Sequence, residues 1–81
     1  MNRWGGHMQY KAWRSNSDKD LFVVCKRDEF DQLPQRIRSL GPWQGSREGD
    51  LERLKPQYRA QIASQGFTLV HCHVRKLDLE V

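Results

Sequence analysis

The sequence predicts an α+β domain in which two short helices pack on one face of a three-stranded sheet, the elements following in the order ββααβ. Three stretches predict it. The run Leu21-Phe22-Val23-Val24-Cys25 is apolar at every position, as in a strand covered on both faces. After Asp50 the apolar residues Leu51, Leu54, Tyr58 and Ile62 fall at spacings of three, four and four, which aligns them along one helical face. Gly66 then stops the helix, because glycine reaches the left-handed conformation of a helix C′ position without a Cβ clash. The stretch 67–74 that follows is rich in β-branched and aromatic residues and reads as a strand.

The remaining elements fall into place around these. The Gly6-His7-Met8 junction reads as the scar of an expression tag, so residues 1–8 are set outside the fold and a single domain is expected over 9–76. Residues 9–14 form a strand with Tyr10 and Ala12 on one face and Lys11 and Trp13 on the other. The polar cluster 15–20 turns this strand back into 21–25, giving a hairpin whose second strand is central in the sheet. Phe30, Leu33, Ile37 and Leu40 form another one-sided stripe, interrupted by Pro34. Proline suits a first helical turn and not a helix interior, so a turn over 28–33 and a short helix over 34–40 are expected, with Gly41 closing it. By the same logic Pro56 divides a turn over 50–54 from a main helix over 56–65.

The glycines and Pro42 make 41–49 a loop, with Trp43 folded back over the core edge or held out as a recognition aromatic. Residues 77–81 are expected to fray. The last strand is placed beside the second, either parallel through a right-handed crossover or antiparallel. The expected interior is Leu21, Val23, Val24, Ile37, Leu40, Leu54, Tyr58, Ile62, Leu69, Val70 and Cys72.

At 81 residues the chain has room for one small core, and eight aromatics among 37% hydrophobic residues argue against a disordered chain. No apolar run approaches the roughly 18 residues of a membrane span, and no signal-like apolar segment opens the chain, so a cytoplasmic protein without a membrane partner is expected. Cys25 and Cys72 sit in strand-like runs, as free thiols of a reducing compartment do. A net charge of +4 biases any partner toward nucleic acid or an acidic protein.

The most chemically loaded triplet is His71-Cys72-His73, whose two imidazoles would project from one strand face as a pair of metal ligands. No Cys-x-x-Cys or second histidine pair completes a site, so no metal and no cofactor are predicted, and His71 and His73 remain weak candidates. Cys25 as a nucleophile would need a base from His71 or His73, yet the apolar run around it favours a structural thiol. Asp28, Glu29, Asp31, Glu48, Asp50 and Glu52 fall at helix starts, where capping accounts for them.

The best functional candidate is the basic surface of Arg36, Arg47, Arg53, Lys55 and Arg59 with Trp43 among them, since phosphate-binding surfaces gather Arg and Lys and often interleave an aromatic. A non-enzymatic binding module without a cofactor is therefore predicted. Two other classes compete: a small ribonuclease-type enzyme using His71 or His73, and a structural protein that oligomerises through a sheet edge.

Overall fold

The computed structural model describes residues 8–81, so the expected tag over 1–8 lies, apart from Met8, outside the described residues. Strand β1 (Gln9–Ser15) and strand β2 (Leu21–Lys26) form the expected antiparallel hairpin. At its tip the Ser15 hydroxyl accepts the backbone N–H groups of Ser17 and Asp18 at 3.0 and 3.1 Å, a side-chain turn of the kind that serine supports. A 3-10 segment (Arg27–Gln32) leads to the four-residue helix α1 (Gln35–Arg38), entered directly after Pro34. Strand β3 (Trp43–Asp50) and a 3-10 turn (Leu51–Arg53) precede helix α2 (Pro56–Gln65), which Gly66 ends at φ +92°, as its sequence predicts. Strand β4 (Phe67–His71) and a last 3-10 turn (Val74–Lys76) complete the chain.

The α+β character stands, but the sheet is four-stranded and fully antiparallel in the order β3-β1-β2-β4, not three-stranded. The missing strand is the stretch 41–49, expected as a loop. β1 is a central strand that buries Tyr10 and Ala12 on one side, and it needs a second hydrogen-bonding neighbour, which β3 supplies. The glycines that suggested a loop sit where neighbours come close. A Cβ on Gly49 would lie 2.8 Å from the Tyr10 ring and 2.6 Å from the Glu80 carboxylate. The register slips between Ala12 and Trp13, leaving Ser46 as the extra residue of a bulge.

Both helices were expected on one face; they lie on opposite faces. On the first face, Tyr10, Ala12, Phe22 and Val24 pack with Leu54, Ile62 of α2, Leu77 and Leu79. On the second face, Val23, Cys25 and Phe67 pack with Leu33 and Ile37 of α1, flanked by Trp13, Phe30 and Trp43. The continuous apolar run of β2 makes this possible, since alternate side chains feed two separate clusters.

The C-terminal residues 77–81 do not fray. Leu77 and Leu79 are 6% and 0% exposed, the Leu79 carbonyl accepts the Lys55 N–H at 2.8 Å, and the Tyr10 hydroxyl donates to Glu80 at 2.6 Å. This tail crosses the first face and closes the core over β1. Leu40 and Leu69, expected inside, are each 40% exposed, while Leu21, Tyr58, Val70 and Cys72 are half-buried. Strand β4 ends at His71, three residues before the expected limit: Cys72 still donates its N–H to the Asp20 carbonyl at 2.8 Å, and the chain then bends into the last turn. Among the described residues no helix is long and apolar enough to cross a membrane.

Candidate anion-binding surface

The structure does not gather Arg36, Arg47, Arg53, Lys55, Arg59 and Trp43 on one surface. Arg36 belongs to α1 on the second face, where its guanidinium lies 5.8 Å from the centre of the Phe67 ring. Trp43 is scaffold there: its indole N–H donates to the Ile37 carbonyl at 3.2 Å and its ring packs against the cluster around Ile37. Lys55 and Arg59 belong to the start of α2 on the other face. Lys55 pairs with Asp78 at 3.0 Å, and Arg53 stands 4.0 Å from Asp50. Trp13, the other indole of the described residues, packs against Phe30, at 4.3 Å between ring centres, with the Lys11 ammonium 4.3 Å from its own ring centre. Neither ring is presented for stacking on a base.

A different set of cations belongs to the C-terminal tail or to the sheet face that it crosses. Arg47 on β3 is opposite Ala12, and one of its guanidinium nitrogens donates to the Leu77 carbonyl at 3.2 Å. A guanidinium carries five N–H groups, so this single bond orients the fork and leaves most donors free. Its positive charge also acts on the Tyr10 phenol, whose pKa is driven upward by burial first and by Glu80 second, against the downward pull of Arg47. Arg14 lies two residues along β1 from Ala12 on the same face, and its Nε is buried with no hydrogen-bond partner. Arg75 and Lys76, both exposed, form the turn that delivers Leu77 to Arg47.

Among the described residues no carboxylate lies within ion-pair range of Arg14, Arg47, Arg75 or Lys76. Lys11, Arg27, Arg53 and Lys55, by contrast, are all paired. The other cations without a carboxylate are spread over the hairpin turn at Lys19, the end of β2 at Lys26, and the two helices at Arg36, Arg38 and Arg59. The carboxylates of the tail are engaged elsewhere, Asp78 by Lys55 and Glu80 by Tyr10. Sequence reasoning missed Arg14, Arg75 and Lys76. Arg14 was hidden in a strand, and the two tail cations lay next to a segment expected to fray.

The histidines are not joined in a site. His71 stands 3.2 Å from Asp18, whereas His73 has left the strand and its Nδ1 accepts the Arg75 N–H at 3.2 Å. Among the described residues no three His, Cys, Asp or Glu side chains converge as metal ligands would. Burial pushes the Cys25 thiol up to about 11, helped by the charge of Glu29. Such a thiol is a poor nucleophile near neutrality. The larger concavities, of about 410 and 420 Å³, are lined by Met8 and Gln9 with Lys26, Arg27, Asp28 and Glu29, and by Lys11 with residues 45–48. Neither contains a histidine. No protein-family model, curated protein or solved structure matches this chain.

Proposed function

We propose that this protein is a non-enzymatic binding module that holds the phosphate backbone of a nucleic acid against Arg14, Arg47, Arg75 and Lys76. The observation that carries the reading is that these four cations, on the tail or on the sheet face it crosses, have no carboxylate partner, while four other cations are ion-paired. Guanidinium groups suit phosphate because their planar fork matches two of its oxygens. The packed indoles of Trp13 and Trp43 favour contact with the backbone over stacking on bases, so binding is expected to show little sequence preference. The separated histidines and the raised pKa of Cys25 support a role in binding over catalysis.

Fluorescence anisotropy with labelled duplex and single-stranded DNA and RNA at low salt tests this. The double variant Arg75→Glu/Lys76→Glu should weaken binding by about tenfold or more, whereas Lys19→Glu/Arg38→Glu, of equal charge change on exposed residues elsewhere, should alter it by about twofold or less. Equal losses in both variants would assign the binding to net charge alone and overturn the site. Absence of binding to every nucleic acid, with binding to an acidic polypeptide that the first variant loses, would replace the phosphate backbone with an acidic protein.

A further inference from the structure

The sheet ends in two unlike edges. β3 carries a bulge, two glycines and the charged pair Arg47-Glu48, features that discourage another strand from adding to it. β4, with the sequence FTLVH, has no bulge, proline, glycine, lysine or carboxylate. We infer that β4 is a self-pairing edge through which a second copy of this chain adds, antiparallel and centred on Leu69, to make one continuous eight-stranded sheet.

The hydrogen-bond parity supports this directly. The Cys72 N–H donates to the Asp20 carbonyl at 2.8 Å, in step with the pairing of Phe22 with Val70 and Val24 with Thr68. In an antiparallel ladder the N–H and C=O of one residue point to the same side, and the next residue points to the other. Thr68 and Val70 therefore face β2, and Phe67, Leu69 and His71 present their backbone groups outward. The Phe67 carbonyl already accepts the Gln65 side-chain amide at 2.9 Å, which substitutes for a strand there. A twofold axis at Leu69 would set Leu69 against its own mate and Phe67 against His71 of the second copy. All three are outward-facing residues, so each pair can exchange hydrogen bonds once Gln65 turns aside.

Side chains agree with this register. Phe67, Leu69 and His71 lie on the second face, opposite Cys25, Val23 and Leu21, and the Leu69 side chain is 40% exposed where its mate would cover it. The charges complement each other as well. Arg36 lies over Phe67 at one end of β4, and Asp18 contacts His71 at the other. Antiparallel self-pairing brings the Arg36 end of one copy beside the Asp18 end of the other, twice by symmetry. Parallel addition would set Arg36 beside Arg36. This edge is separate from the tail cations, so the two proposals stand or fall independently.

Sedimentation equilibrium over concentrations up to about 1 mM, the range in which weak dimers register, should give a reversible dimer. Leu69→Lys and Leu69→Glu each set like charges on the twofold axis and should raise the dissociation constant about tenfold or more, while circular dichroism and Tm show an intact fold. Mixing the two variants should restore association. Arg36→Glu should weaken the dimer, and adding Asp18→Arg to it should recover the loss. A monomer at every concentration would overturn the inference, as would a dimer that both Leu69 variants leave unchanged.

Discussion

Leu79→Ala is the sharpest probe of how this core is closed. Leu79 is 0% exposed and packs on the first face with Tyr10, Phe22 and Leu54. A fully buried leucine side chain is worth about 1.5 to 3 kcal/mol in transfer from water, and truncation to alanine adds the cost of the cavity left behind. The expected loss is about 3 kcal/mol. A domain of this length has a total stability on the order of 4 to 12 kcal/mol, so the variant gives up a large part of it. Urea denaturation followed by tryptophan fluorescence measures the change, with Leu40→Ala as the comparison, since Leu40 is 40% exposed and should lose less than about 1 kcal/mol. A Leu79→Ala midpoint that matches the parent would mean that the tail is not seated in the core. The arrangement of cations around it would then lose its support.

The other predictions concern the scaffold and the thiols. Gly66→Ala should cost about 1 to 2 kcal/mol by thermal or urea denaturation, because Gly66 sits at φ +92° with nothing within 4 Å of where a Cβ would stand, so the penalty is that of the left-handed backbone. Gly66→Val should cost more, and a parental Tm for both would contradict the helix stop. Trp43→Ala should lose about 2 to 3 kcal/mol, since a half-buried indole and its bond to Ile37 disappear, while the surviving folded protein binds anions as before. A thiol reagent at pH 8 should modify half-buried Cys72 quickly and buried Cys25 only on unfolding. The Cys25 pKa is raised from 9.0 to about 11, so above pH 9 the unfolded chain loses its proton first, and stability should fall from pH 9 toward 11 with a shallower decline in Cys25→Ala.

Local signals in the sequence located most single elements and misjudged how they assemble. The Pro56 start, the Gly66 stop and the apolar run of β2 are each set by short-range stereochemistry, and all three stand in the fold. β3 was illegible because Gly45 and Gly49 have low strand propensity, and what makes them a strand is the unpaired side of β1. The division of the helices between two faces was equally hidden. A one-sided stripe such as Phe30, Leu33 and Ile37 says that a face is buried and not which side of a sheet buries it. The tail looked free because 77–81 alternates Leu77 and Leu79 with Asp78 and Glu80 over too few residues to stand out. Of the expected site, Arg47 keeps a place, Trp43 joins the core, and Arg53 and Lys55 are engaged by carboxylates. Cationic residues announce themselves in a sequence; which of them lack a carboxylate partner depends on the fold.

The salt dependence of nucleic-acid binding tests the functional reading most directly. If four cations each neutralise one phosphate, the slope of log K against log salt on duplex DNA should be roughly −3.6, from about 0.9 counterions released per contact. Arg75→Gln/Lys76→Gln should bring it to about −1.8, with Arg53→Gln, whose cation already faces Asp50, leaving it near the parent value. A slope that Arg75→Gln/Lys76→Gln does not change, or that Arg53→Gln lowers equally, would contradict the assignment of phosphate binding to the cations around the tail.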